Sequence, residues 1–283
     1  MTEYNFKFGK EELKIDVPRP GDLNSFFIFA MHKSGSVLLN NMITDVCNCK
    51  KIPFINIPSC CFDNGIRFGV LDNRIDNLMK IRGYAYVGFR NFLPYKTDFD
   101  FKKVKNILLI RDPRDMIVSQ YFSAAYSHTI PKKGDVKDYL LERRENLQNM
   151  DIDLYASEYQ KFVTRQFKRY ETSLPVETTK LYRYEDVIFR KREWLADMLS
   201  FLNIELPQEK IFEIADRHDI MPDKEDKHAH IRQVTPGNYK KHLKQNTIDK
   251  LNEKMADILD CYGYNSVHSF PLHPCPKVRI EYN

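Results

Sequence analysis

The chain has 283 residues, of which 42% are hydrophobic and 13% aromatic, enough to build the core of one ordinary α/β domain. Its 44 basic and 39 acidic residues leave a formal net charge of +5, which is too balanced for a general nucleic-acid binder. The composition also excludes a disordered or fibrous protein, and it suits a protein with one local basic pocket for an anion.

Neither a membrane span nor a disulfide framework is predicted. The longest apolar run, residues 26–31, is too short to cross a bilayer, and the charged N-terminus lacks the apolar stretch of a secretory signal. The six cysteines do not suggest a disulfide framework, so a cytoplasmic location is predicted. A zinc site formed by Cys47, Cys49, Cys60 and Cys61 is a weaker alternative, because this spacing matches no standard ligand pattern.

Periodicity and turn residues predict the elements in chain order. Residues 1–24 are a lead-in that ends in Pro and Gly, residues 25–30 a buried strand, residues 32–36 a polar turn, and residues 37–47 a helix. Further strands are predicted at residues 85–89, 106–110 and 179–184. Further helices are predicted from Pro113 with Asp112 as N-cap, and at residues 135–147, 153–170, 190–202, 207–217 and 246–262, the last capped by Asn246 or Thr247.

The alternation of strands and helices predicts an α/β fold. We expect a P-loop-like, three-layer α/β/α domain with a central, mostly parallel sheet of about four to five strands. This single domain is predicted to cover residues 25–264, followed by a C-terminal tail at residues 265–283.

The turn after the first predicted strand is a candidate anion site. Its amides, the positive end of the following helix, the Lys33 ammonium and the hydroxyls of Ser34 and Ser36 could together hold a phosphate. Ligands of such sheets bind beyond the carboxyl ends of the strands, where this turn lies. A plain solvated turn remains the alternative at this point.

The order of residues in this turn separates two kinds of phosphate loop. In a nucleoside triphosphate loop, G-x-x-x-x-G-K-[ST], the Lys follows both glycines, whereas here Lys33 precedes Gly35. The sequence Lys-Ser-Gly-Ser opening a helix resembles the loop by which sulfotransferases bind the 5′-phosphosulfate of 3′-phosphoadenosine 5′-phosphosulfate (PAPS). Val37 then stands at the position of a second hydroxyl, and Leu38 at that of an adenine-stacking Trp.

Two further segments resemble this family. Residues 111–121 are similar to its second signature, in which an Arg and a Ser hold the 3′-phosphate of the donor; Arg111 and Ser119 occupy those positions. A permanently charged, forked guanidinium suits a phosphate. Residues 182–186 resemble a strand that ends in Tyr-Glu-Asp, and Tyr184 matches the Tyr that approaches the adenine.

The segment at residues 232–240 resembles a late basic element of the same family. Arg232 agrees with that element, whereas Gln233 and Val234 replace a Lys-Gly pair. The resemblance assigns all three residues to the donor site. Because one cation is missing, donor binding is expected to be weaker or differently arranged.

The resemblance implies a PAPS-dependent sulfotransferase that transfers a sulfuryl group to a hydroxyl or amine of a small-molecule acceptor and releases 3′,5′-ADP. Lys33 would neutralise the leaving phosphate oxygen, and Ser119 would tether this Lys until the acceptor arrives. No metal, nucleic acid or membrane partner is expected, and a homodimer is possible.

The catalytic base departs from the family pattern. Many relatives carry a His in a Lys-Thr-His-Leu-Pro stretch, and the corresponding residues 87–94 contain none. His32 is the predicted substitute, because it precedes Lys33 and an unperturbed imidazole titrates near neutral pH. A loop His bonded to the backbone is the alternative, and Asp63 and Asp98 are weaker candidates.

The acceptor pocket is expected between the signatures, from residues 54–68, 84–97 and 126–128. Arg67 and Arg90 either bind polar or anionic features of the acceptor or are solvated surface arginines. Two other functions remain open at this point, a P-loop kinase for small molecules or nucleotides and a non-catalytic domain that binds 3′-phosphoadenosine compounds.

Overall fold

The computed structural model describes residues 1–131, 134–222, 224–229 and 231–265. A five-stranded parallel sheet with the order β4-β5-β3-β6-β7 forms its centre, beside a two-stranded antiparallel hairpin, β1-β2. The strands are β1 (Thr2–Phe8), β2 (Glu11–Val17), β3 (Phe26–Ala30), β4 (Phe54–Ile55), β5 (Ala85–Phe89), β6 (Lys105–Ile110) and β7 (Thr179–Arg183).

Helices cover both faces of the sheet. They are α1 (Ser36–Lys50), α2 (Ile57–Asp63), α3 (Pro113–Phe122), α4 (Asp135–Gln148), α5 (Ile152–Ser173), α6 (Tyr184–Val187), α7 (Lys191–Leu202), α8 (Gln208–Arg217), α9 (Tyr239–His242), α10 (Gln245–Lys254) and α11 (Ala256–Cys261). One turn of π-helix, Ser123–Ser127, extends α3. No helix within the described ranges combines the length and the apolar character that a bilayer crossing requires.

The central strands are continuously apolar because both of their faces are buried. In β3, Phe27 and Phe29 face a cluster that includes residues of α3 and α5, whereas Phe26 and Ile28 face a second cluster with residues of α1 and α7. The predicted three-layer α/β fold with four to five strands is therefore confirmed. The predicted strands β3, β5, β6 and β7 agree with the structure to within one residue.

Residues 1–24, predicted to be a lead-in, contain the hairpin β1-β2. Their apolar side chains alternate with exposed ones, and Phe6, Leu13 and Ile15 join the cluster on the α3 and α5 side of the sheet. The alternation in Glu11–Val17 is the period-two signal of a half-buried strand, which the prediction did not use. The domain boundary at residue 25 stays a prediction, and residues 266–283 of the predicted tail lie outside the described residues.

A bulge interrupts the pairing of β5 with β3. Phe27 pairs with Tyr86 but Phe29 pairs with Phe89, so β5 contains one extra residue, at Gly88. Gly88 has a φ of 89°, a conformation that favours glycine, and its N–H donates to Asn40 Oδ1 at 2.8 Å. The bulge places Phe89 on the same face as Tyr86 and changes the course of the chain that follows β5.

The last predicted helix, residues 246–262, is two helices in the structure. Met255, with φ −117° and ψ 17°, ends α10 and precedes α11. The N-cap is Lys244 and not Asn246 or Thr247, and no side chain caps this end. Because the backbone N–H of Lys244 donates to Asp153 Oδ1 at 2.9 Å, a contact with α5 determines where the helix begins.

Candidate functional site

A cavity of about 930 Å³ opens at the carboxyl ends of the central strands. Its wall includes Arg90, Arg111 and Tyr184, which directly follow β5, β6 and β7, and His32, two residues after β3; this is the edge at which ligands of parallel sheets bind. All but one of the predicted donor residues line it: Lys33, Gly35, Ser36, Val37, Leu38, Arg111, Ser119, Tyr184, Arg232, Gln233 and Val234. His32 lines it as well.

Ser34 is the exception, because it faces the sheet. Its side chain is fully buried, and its hydroxyl lies within hydrogen-bond distance of the carbonyl oxygens of Met31 and Leu109, the latter at 3.0 Å. The hydroxyl thus fastens the loop to the ends of β3 and β6. Of the two loop hydroxyls predicted to hold a phosphate, only that of Ser36 faces the cavity.

The loop turns sharply enough to present Lys33 to the cavity. Lys33 adopts a φ of 70° and Gly35 a φ of 91°, both in the left-handed region. A Cβ on Gly35 would lie 3.1 Å from the Tyr184 ring, so glycine permits the close packing of the loop on α6. Burial and the nearby Arg90, Arg111 and Arg232 lower the pKa of Lys33 to about 7.

Arg111 follows β6 and is almost completely buried. Its guanidinium donates to Asp115 Oδ2 at 3.2 Å and lies 4.4 Å above the Tyr184 ring, whose hydroxyl donates to the Val234 carbonyl at 2.8 Å. Its Nε is a buried donor with no protein partner.

Asp115 is a site residue that the sequence analysis missed. This buried carboxylate accepts from the backbone N–H groups of Gly237 at 2.7 Å and Tyr239 at 2.9 Å, in addition to Arg111. It therefore joins the second and the late signatures. Its partners lie more than 120 residues away in sequence, so no local pattern could reveal the role.

Arg232 reaches the same part of the cavity. Its guanidinium lies 4.5 Å from the centre of the Phe122 ring and forms an ion pair with Glu225, which also binds Lys241 at 2.7 Å. Burial and the neighbouring Arg111 lower the pKa of Arg232. Two guanidinium groups thus converge on one region of the wall.

Two histidines lie at the other end of the site. His32 and His128 both line the cavity, and His128 belongs to the segment predicted to border the acceptor pocket. Burial, followed by Lys33 and Arg90, lowers the pKa of His32 well below its usual value, and the same causes lower that of His128 to about 4. Both rings are therefore neutral at pH 7, and each retains a nitrogen lone pair.

The weaker candidates for the base are not at the site. Asp63 and Asp98 are exposed, and neither lines the cavity. Phe62 and Phe68 do line it, whereas Tyr84, Tyr86, Phe89 and Phe92 are buried in the core. Within the described residues, no group of three or more His, Cys, Asp or Glu side chains is arranged to hold a metal, and Cys47, Cys49, Cys60 and Cys61 are free thiols.

Known structures resemble the fold at low sequence identity. Mouse sulfotransferase SULT7A1 complexed with PAP has a TM-score of 0.54 and 13% identity, over 93% of this chain and 99% of that chain. Retinol dehydratase in complex with androsterone and inactive cofactor PAP has a TM-score of 0.49 and 14% identity, over 89% and 84%. A sulfotransferase from Alicyclobacillus acidocaldarius has a TM-score of 0.42 and 16% identity, over 85% of this chain and 93% of that chain. Of these three, the mouse protein is similar enough to show the shared fold.

Comparison by sequence identifies the family. No curated protein matches the chain significantly. A family model described as the sulfotransferase domain, however, matches residues 92–262, which is more than half of the chain. The predicted family is confirmed: the chain belongs to the sulfotransferase domain family.

Proposed function

We propose that the protein transfers a sulfuryl group from PAPS to a hydroxyl or amine of a small-molecule acceptor and releases 3′,5′-ADP. The observation that carries the proposal is the single cavity in which Lys33, Arg111 and Arg232 meet. Its volume of about 930 Å³ is at the upper end of the range for one small ligand, which suits a donor and an acceptor together.

Arg111 and Arg232 hold the 3′-phosphate in this proposal. Both residues line the cavity, and the effect of the Arg111 charge on the pKa of Arg232 indicates that the two cations lie near each other, which supports this assignment. The amides at the start of α1, together with Lys33 and Ser36, receive the 5′-phosphate. Leu38, Gln233, Val234 and the Tyr184 ring surround the adenosine.

Lys33 assists the chemical step. The acceptor atom attacks sulfur in line with the bond to the 5′-phosphate oxygen; the new bond to sulfur forms as the S–O bond breaks, and negative charge develops on the leaving oxygen. The Lys33 ammonium neutralises that oxygen. Ser119, on the same wall, tethers the ammonium before the acceptor binds.

The acceptor proton passes to one of the two neutral histidines, His32 or His128. Low pKa values make both imidazoles weak bases in the ligand-free protein. The negative charge of the donor offsets Lys33 and Arg90, which raises both pKa values toward the working pH. Comparing His32→Ala with His128→Ala identifies the base, because turnover within threefold of wild type removes a residue from that role.

The proposal is tested with sulfur-labelled PAPS and a panel of phenols, alcohols and amines. We expect transfer from PAPS, its loss in Lys33→Met, and its retention in Lys50→Met, which changes an exposed Lys at the end of α1. Labelled ATP with magnesium tests the kinase alternative. Absence of 3′,5′-ADP binding, or near-normal transfer by Lys33→Met, overturns the proposal. Tight binding without transfer to any acceptor favours the non-catalytic alternative.

Residues 25–264 as a single domain, a cytoplasmic location, independence of metals and a possible homodimer remain parts of the proposal. Sedimentation of the purified protein and activity in the presence of a chelator test the last two. Activity that disappears with the chelator and returns with a divalent cation would contradict metal independence.

A further inference from the structure

The part of the cavity assigned to the acceptor has an apolar wall with two cations, the exposed Arg67 and the half-buried Arg90. Phe62, Ile66, Phe68 and Leu140 contribute apolar side chains to the wall, and Arg90 also lines it. Since the donor is assigned to the half that contains Arg111, this second half is available for the acceptor.

Backbone geometry determines the position of Arg90. The bulge at Gly88 is held by the hydrogen bond to Asn40 on one side, and a Cβ on Gly88 would lie 2.0 Å from Asn56 Oδ1 on the other. Arg90 follows β5 two residues after this bulge, half-buried at the cavity wall. Bulges of this kind often redirect a side chain at a functional site.

The positive charge of the cavity is not balanced by acids in its wall. Among the described residues, the lining includes six Lys or Arg and no Asp or Glu. Three of the six, Arg111, Lys191 and Arg232, pair with carboxylates behind the wall. The other three, Lys33, Arg67 and Arg90, have no ion pair with an acid in the part of the chain that the structure describes, and of these Arg67 is exposed.

The electrostatic neighbours of Arg90 place it on the acceptor side. Its charge, like those of Lys33 and Arg143, lowers the pKa values of His32 and His128, the two histidines that line the cavity. Together with the two arginines assigned to the donor, Arg90 also lowers the pKa of Lys33. The site therefore has two cationic regions joined at Lys33, and the phosphates of the donor account for only one of them. A half-buried guanidinium without an acidic partner among the described residues is partly desolvated, and an anionic ligand would stabilise it.

We propose that the acceptor is a hydroxylated organic acid whose anionic group pairs with Arg90, while its body contacts Phe62 and Phe68. The inference rests on the proposed function and specifies its substrate class. A forked guanidinium binds a carboxylate through two hydrogen bonds, so the loss of either partner is expected to cost tenfold or more in affinity.

The test is a competition assay at saturating PAPS, in which each aromatic or aliphatic hydroxy acid competes with its own methyl ester as the acceptor. One such pair is 3-(4-hydroxyphenyl)propionate and its methyl ester. The two members of a pair share the same nucleophile, so a preference reports the anionic group. We expect kcat/KM to favour the acids by at least tenfold, through KM. In Arg90→Gln the preference falls to about one, because KM rises for the acids, whereas the esters have no ion pair to lose. Arg82→Gln, which changes an exposed Arg paired with Asp22, keeps the preference.

Calorimetric binding of acid and ester to the 3′,5′-ADP complex repeats the comparison without turnover. Equal use of the two members overturns the inference, as does sulfation of neutral phenols but of no acid in the panel. An equal loss of kcat for both members in Arg90→Gln also overturns it, because Arg90 would then act on the sulfuryl group. Failure of the wild type to bind 3′,5′-ADP would instead refute the proposed function.

Discussion

Binding of 3′,5′-ADP is expected to take up a proton at Lys33. In the ligand-free protein, burial and three arginines lower the pKa of this ammonium from 10.5 to about 7. At about 1.4 kcal/mol per pKa unit, the cavity disfavours the charged form by roughly 5 kcal/mol. A phosphate next to the amine reverses this preference, so the bound complex retains the charge at a pH where the free protein has lost it.

The size of the effect follows from the pKa of about 7. At pH 8 about nine-tenths of the free Lys33 amines are neutral, so binding takes up close to one proton. By linkage, affinity for 3′,5′-ADP falls about tenfold for each pH unit above about pH 7. The phosphates of the ligand are fully ionised at pH 8 and contribute little.

Calorimetry at pH 8 in two buffers of different ionisation enthalpy measures the uptake directly. Wild type is expected to take up close to one proton, and Lys33→Met close to none. The variant also binds with an affinity that barely changes between pH 7.5 and 8.5. Equal uptake by the two proteins, or none by the wild type, would show that Lys33 does not meet the phosphate.

Three further variants test the site. Arg111→Lys keeps a charge but loses the guanidinium fork, so affinity for 3′,5′-ADP should fall at least tenfold in calorimetry; unchanged affinity refutes its role. Leu38→Trp adds a ring at the proposed adenine site and should tighten binding about two- to tenfold, and no gain would place the adenine elsewhere. In the folded protein the pKa of His128 is about 4, whereas its ordinary value is 6.5. As the pH falls below 6.5 the unfolded chain therefore binds a proton that the folded protein does not bind, and the free energy of unfolding decreases. His128→Gln should therefore remove about 1.4 kcal/mol of the stability lost between pH 7 and 5.5 in urea unfolding, and an unchanged loss contradicts the neutral ring.

Local sequence patterns were sufficient for the sheet and for finding most of the predicted donor residues in the wall of one cavity, whereas donor binding itself stays a prediction. The uninterrupted apolar run of β3 reflects a strand buried on both faces, and the polar turn after it had to lie at the carboxyl edge. The same patterns did not show that the Ser34 hydroxyl faces the sheet while the Ser36 hydroxyl faces the cavity. This difference depends on the hydrogen bond from Ser34 to the carbonyl of Leu109, which lies on a different strand.

Features that depend on distant contacts could not be predicted in this way. The role of Asp115 requires Gly237 and Tyr239, and the orientation of Arg90 requires the bulge at Gly88. The pKa argument for His32 used an isolated imidazole, whereas burial next to Lys33 lowers the pKa of the ring in the fold. In each case tertiary packing decides a property that the residue type alone leaves open.

The absence of acids from the cavity wall affects how the protein behaves in solution. Lys33, which has no ion pair with an acid among the described residues, attracts small anions from the buffer, so inorganic phosphate or sulfate competes with the nucleotide at this end of the wall. The apparent affinity for the donor then describes an exchange, in which the donor displaces a bound inorganic anion. Rates recorded in a phosphate buffer and in a chloride buffer of equal ionic strength would consequently describe two different starting states of the protein.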